Sequence, residues 1–173
     1  MRRSNAQAVI AYPTESCYGL GCDPRSRRAV LRILRLKRRP QAKGLILIAA
    51  DPQQLKPFVQ PAALRQAVES GHWPGPVTLL LPASGTCPVW VRGRHATVAV
   101  RHTAHPPAAR LCRRLGTALV STSANRSGQR ALKRAGQVLR TFGTQVRVIR
   151  GYIGRARRPS IIKDLATGRI LRG

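Results

Sequence analysis

The chain has 173 residues, 43% of them hydrophobic, enough to bury the core of one domain. Lysine and arginine total 32 against 5 acids, a formal net charge of +27. Glu15, Asp23, Asp51, Glu69 and Asp164 are too few and too scattered for a carboxylate-lined two-metal or calcium site. Such a surplus favours polyanionic partners on electrostatics alone, although an arginine-rich genome would place the same charges on solvated faces.

The start, Met1-Arg2-Arg3-Ser4-Asn5, is basic but no long apolar run follows, so it reads as neither signal peptide nor membrane anchor. The expectation is a soluble, cytoplasmic protein with no membrane partner. Cys17, Cys22, Cys87 and Cys112 form no Cys-x-x-Cys pair, and His72, His95, His102 and His105 add no ligand spacing. Buried thiols are expected, and no metal site.

Ala8 to Tyr12 reads as a short buried strand ended by Pro13. Asp23-Pro24 suits a helix start, and Ala29, Val30, Ile33, Leu34 and Lys37 follow 3.6-residue spacing up to the stop at Pro40. Leu45 to Ala49 is a second apolar strand. Asp51-Pro52 starts a helix toward Phe58, and Ala62 to Glu69 forms another. Val77 to Leu81 and Thr97 to Val100 are strands, Pro106 to Leu115 is helical, and Ala118 to Ser121 is a strand entering a Ser/Asn/Gly turn. Leu132 to Phe142 is helical, and Val146 to Ile149, Ser160 to Lys163 and Arg169 to Leu171 are late strands. Continuous apolar strands alternating with helices predict an α/β sheet covered on at least one face, in a single domain spanning 1–173.

No phosphate-loop sequence occurs, and Gly19-Leu20-Gly21 lacks the third glycine of a dinucleotide fingerprint because Pro24 stands there. Those glycines read as a turn. Three other segments carry chemistry. Tyr12-Pro13-Thr14-Glu15-Ser16 leaves the end of the first strand, where open α/β sheets bind ligands, or is a plain strand-exit turn. Lys37-Arg38-Arg39-Pro40, followed by Lys43-Gly44, brings a point charge and a planar fork suited to phosphate, or is a solvated basic helix end. Ser121-Thr122-Ser123-Ala124-Asn125-Arg126-Ser127-Gly128 is rich in hydroxyls and amides, for a small polar ligand or for capping the next helix. No His/Asp spacing marks a serine nucleophile.

Taken in order, these segments resemble the YrdC family of threonylcarbamoyl-AMP synthases, of the short type. The resemblance rests on Tyr-Pro-Thr-Glu-Ser, Lys-x-Arg-Pro-x-x-Lys-Gly, His-Trp-Pro-Gly-Pro-Val-Thr, Val-Ala-Val-Arg and Ser-Thr-Ser-Ala-Asn-x-Ser-Gly, and runs from Val9 to the C-terminus. It implies a twisted mixed sheet with flanking helices around a basic cavity. It also implies condensation of threonine, bicarbonate and ATP to threonylcarbamoyl-adenylate and pyrophosphate, for modification of tRNA with further transfer proteins. Magnesium would be held mainly by the ATP phosphates.

By the same resemblance, Thr14, Arg101 and Ser121 bind threonine, with Arg101 on its carboxylate. Lys37 and Arg39 are the catalytic pair on the ATP phosphates. Lys43, Thr97, Ser123 and Asn125 contact the nucleotide. His105 matches a family histidine without a stated role. The chain departs from the family in three places. Only 8 residues precede Val9, where the family usually has an amphipathic helix, so the expectation is either that one flank of the sheet is uncovered or that the chain starts further upstream than Met1. Cys17 replaces a commoner apolar residue or threonine, and Gly154-Arg155-Ala156-Arg157-Arg158 replaces a Gly-Gly-Arg loop expected to close over ATP. The competing reading is a non-catalytic module of the same fold that binds double-stranded RNA or tRNA, or serves ribosome maturation, with affinity falling steeply with salt.

Overall fold

The computed structural model describes residues 8–172; the expectations for the basic start at residues 1–5 and for a missing or truncated preceding helix lie outside them. Nine strands form one mixed sheet in the order β7-β1-β2-β6-β3-β5-β4-β8-β9. They are β1 (Ile10–Pro13), β2 (Tyr18–Cys22), β3 (Ile46–Ala49), β4 (Val77–Pro82), β5 (Thr97–His102), β6 (Leu119–Ser123), β7 (Arg147–Val148), β8 (Ile161–Asp164) and β9 (Ile170–Arg172). Five helices accompany them: α1 (Arg27–Lys37), α2 (Pro61–Glu69), α3 (Val89–Arg92), α4 (Pro106–Leu115) and α5 (Ala135–Phe142). The β1–β7, β3–β5 and β4–β8 pairs are parallel and the other pairs antiparallel.

Register decides what each face does, because successive side chains alternate across a sheet. On one face Ala11, Leu20, Val120, Leu47, Val100 and Leu79 follow one another across the strands. They join the main core with Ala29, Val30, Ile33 and Leu34 of α1, Ala63 and Leu64 of α2 and Val138 and Phe142 of α5. On the other face a smaller cluster packs Tyr12, Ile48 and Leu119 against Ala108 and Cys112 of α4. Ser121, Ser123, Thr97, Ala99 and Arg101 share that second face, and there they line a cavity instead. The site is therefore the part of the sheet that α4 leaves uncovered.

Several expectations need correction. Gly19 and Gly21 are not a turn: they lie in the fully buried strand β2, paired to β1 and β6. A Cβ at Gly21 would come within 2.7 Å of the Val120 carbonyl and 2.9 Å of the Tyr12 ring, so glycine there answers close packing on the second face. The cap of α1 is Ser26 rather than Asp23. Asp23 instead accepts the Arg25 amide at 2.9 Å and pairs with the Arg25 guanidinium at 2.8 Å. The helix ends at Lys37, with Arg38 in the left-handed conformation at φ 52°.

The segment after Asp51 makes only a 3-10 turn, Pro52–Leu55, and residues 132–134 are not helical, with Arg134 extended, so α5 begins at Ala135. The short helix α3 was not expected: Pro88 starts it and Gly93 ends it after one turn. All four cysteines are buried free thiols.

Candidate active site

A cavity of about 1390 Å³ opens on the uncovered part of the second sheet face. Thr14, Lys37, Arg39, Lys43, Thr97, Arg101, Ser121, Ser123 and Asn125 all line it. Among the described residues, eleven lysines and arginines face it against one carboxylate, Glu15. His105 does not line it; the residue precedes α4, and its buried Nε2 has no partner among the described residues.

Each side chain is held by a neighbouring element. Thr14 leaves β1, and both its amide (2.9 Å) and its hydroxyl (2.7 Å) donate to the Cys17 carbonyl. Ser121 on β6 accepts from the Tyr12 hydroxyl at 2.7 Å. Because Tyr12 donates, the Ser121 proton is left for a ligand. Burial keeps the Tyr12 phenol protonated far above neutral pH.

Lys37, only 3% exposed at the last position of α1, donates its ammonium to the Ser123 carbonyl, to the Asn125 carbonyl (2.9 Å) and to Asn125 Oδ1 (3.2 Å). Its three donors meet three oxygens of one loop. The Asn125 amide then donates to the Arg126 and Gln129 carbonyls at 3.0 and 2.7 Å, and Ser127 N–H returns to the Lys37 carbonyl at 2.8 Å. The expected phosphate-binding lysine is thus also the anchor of the serine-rich loop. Burial, with the Arg39 guanidinium second, pushes the Lys37 ammonium down to about 8, against a smaller opposing pull from Cys17. Arg39 is half-buried, folds onto the Gly44 carbonyl at 3.0 Å, and is lowered by burial.

Arg101 is 7% exposed and grips Glu15 with both terminal nitrogens, at 3.1 and 3.2 Å. Thr103 donates to the same carboxylate at 3.2 Å. The Arg101 Nε is buried with no partner among the described residues.

The residue pattern of the Sua5/YciO/YrdC family, described as telomere recombination, matches residues 4–173. The chain belongs to this family. It is 58% identical to a threonylcarbamoyl-AMP synthase of Thiobacillus denitrificans over 95% of this chain and 88% of that protein. It is 47% identical to one of Escherichia coli O6:H1 over 97% of this chain and 90% of that protein. Among solved structures, Sua5 of P. abyssi complexed with L-threonine superimposes with a TM-score of 0.83 at 33% identity, covering 94% of this chain. This chain spans 49% of that longer protein. E. coli YciO matches with a TM-score of 0.78 at 28% identity, over 96% of this chain and 82% of that one.

Within this family member, Glu15 and Arg172 are among the lining residues that sequence reasoning did not assign to the site. Glu15 sits in the first motif and is one of only 5 acids, a scarcity that was a usable signal. Arg172 in β9 had none. Its guanidinium binds the Ser160 carbonyl at 2.9 Å while lining the cavity, and burial together with Arg101 and Arg39 lowers it. The altered loop at residues 154–158 does reach the site: Gly154 N–H donates to the Thr14 carbonyl at 2.9 Å and Ala156 N–H to the Glu15 carbonyl at 3.1 Å. A Cβ at Gly154 would lie 2.7 Å from that Glu15 oxygen, which is why the loop seats there with a glycine.

Proposed function

We propose that this protein condenses L-threonine, bicarbonate and ATP to threonylcarbamoyl-AMP and pyrophosphate. The observation that carries the reading is the gathering of nine motif residues, far apart in sequence, into one cavity whose charge is overwhelmingly positive. The curated relatives named for this activity match nearly the whole chain and support it. The balance of the reaction asks for two new bonds: threonine nitrogen to the bicarbonate carbon with loss of water, and carbamate oxygen to the α-phosphorus with pyrophosphate leaving. Every reactant is anionic or zwitterionic. Catalysis of this kind rests on positioning and on charge neutralisation more than on protein acids and bases.

In this reading Arg101, Thr14 and Ser121 hold threonine. Lys37 and Arg39 supply charge to the triphosphate, and Lys43, Thr97, Ser123 and Asn125 contact the nucleotide. Glu15, the only lining carboxylate among the described residues, is engaged by Arg101 and Thr103, so those residues offer no protein cage for magnesium. The ion fits as part of the nucleotide, held by phosphate oxygens and water, where it neutralises charge. The threonylcarbamoyl group is then destined for tRNA through further proteins, in the cytoplasm. No helix among the described residues is long and apolar enough to cross a membrane.

The test is incubation with labelled bicarbonate, threonine, ATP and magnesium, followed by chromatography. A threonine-dependent labelled adenylate and an equal amount of pyrophosphate are expected. Folded protein that yields neither, yet binds RNA in a salt-dependent manner, would return the assignment to the non-catalytic module.

A pH profile adds an independent check on Lys37. Its charge helps ATP bind only while the ammonium is protonated, below about 8. ATP affinity should therefore fall about tenfold between pH 7 and 9, the effect of one proton. Calorimetric titration that gives a flat profile would remove Lys37 from nucleotide binding.

A further inference from the structure

Among the described residues Glu15 is the one carboxylate in a cavity lined by eleven cations, and three donors already point at it. Arg101 Nη1 and the Thr103 hydroxyl converge on Oε1, while Oε2 receives only Arg101 Nη2. A carboxylate offers about four acceptor sites, so one remains, on Oε2. The side chain keeps 24% of its surface exposed, so that site is reachable from the cavity. Arg101 is the mirror case. Its Nε is buried and has no acceptor among the described residues. A vacant acceptor beside a vacant donor, on oppositely charged groups in contact, is the complement of an α-amino acid, whose ammonium and carboxylate share one carbon.

We propose that Glu15 and Arg101 together form a receptor for the substrate zwitterion: Arg101 takes the α-carboxylate and Glu15 accepts the α-amino N–H. Glu15 is then a specificity-determining residue that selects amino acids over other carboxylates. A carboxylate accepts an N–H from ammonium, amine and carbamate alike, so the grip on nitrogen persists as the carbamate forms. The proposal rests on the threonine reading of the site. It differs from a purely neutralising role for Glu15, because that role would make the carboxylate a competitor of every substrate anion and give nothing back.

The two roles separate by the sign of the effect. In Glu15→Gln, threonine binding measured by calorimetry should weaken at least tenfold. Binding of 2,3-dihydroxybutanoate, in which a hydroxyl replaces the amine, should hold or tighten, because an opposing carboxylate is gone from beside Arg101. ATP affinity should change less than twofold, and Glu15→Asp should recover part of the threonine affinity. Equal weakening of threonine and the hydroxy acid, or unchanged threonine binding, would overturn the proposal. Failure of the unaltered protein to bind threonine at all would instead overturn the reading of the site. Thermal melting of each variant identifies a fold defect, and if Glu15→Gln melts early the threonine-to-hydroxy-acid affinity ratio in Glu15→Asp decides the question.

Discussion

Arg101→Ala should leave an enzyme unable to use threonine, with kcat/KM for threonine down about a thousandfold. The guanidinium is 7% exposed and its terminal nitrogens are fixed on Glu15, so the fork is already oriented when the substrate carboxylate arrives. Alanine removes that carboxylate's bidentate partner and strands Glu15 without its counter-charge. Losing one partner of a desolvated charge pair in a binding contact costs about 2–5 kcal/mol, and about 4 kcal/mol is close to three decades in kcat/KM. Because Glu15 keeps some contact with solvent, part of the stability penalty is relieved, and the loss should fall mainly on substrate use. ATP binding, measured by titration without threonine, should persist within a few-fold. Arg101→Lys should recover little, since a point charge cannot replace the fork. Equal loss of ATP and threonine binding would instead mean that the cavity has collapsed.

Lys37→Met should cost both stability and nucleotide binding. The methionine keeps the apolar stem but leaves the Ser123 and Asn125 carbonyls and Asn125 Oδ1 without their donor. Hydrogen bonds from a charged donor contribute about 1.5–3 kcal/mol each. Water entering the cavity recovers part of that, so a net loss of about 3 kcal/mol is reasonable against those values. In a domain of this size it lowers Tm by about 6–12 °C. The loop at residues 123–129 then loses the geometry that presents Ser123 and Asn125, and ATP affinity should fall at least a hundredfold. Differential scanning calorimetry and ATP titration check the two effects together. An unchanged Tm would show that the ammonium does not anchor the loop. An unchanged ATP affinity at a lowered Tm would separate the loop from the nucleotide site.

Much of the fold was legible because burial periodicity is a local signal. The α1 pattern of Ala29, Val30, Ile33 and Leu34 is the set that packs into the core. The continuous apolar runs became β3, β4 and β6, buried in the middle of the sheet. The strand β2 was lost because Gly-Leu-Gly carries a weak strand signal. Glycine there answers to the Tyr12 ring on the neighbouring strand and to the Val120 carbonyl, far away in sequence. The one-turn helix α3 and the non-helical residues 132–134 were missed for a related reason: short segments are settled by tertiary contacts, as when Leu132 N–H pairs with the Ala124 carbonyl.

The sequence by itself determined the charge balance, the α/β alternation and the ordered motifs whose resemblance names the family. It could also state which chemistries five acids cannot support. Only the tertiary structure decided how those motifs meet. Register put Ser121, Ser123, Thr97 and Arg101 on one sheet face, and the limited reach of α4 left that part of the face open as a cavity. Tertiary contact alone turned Lys37 into a loop anchor, brought Arg172 from the last strand to the cavity, and set Glu15 against Arg101 across 86 positions of chain. The physical reason is range: burial patterns repeat within a few residues and can be read along the chain, whereas pairing between charges depends on where distant strands are placed.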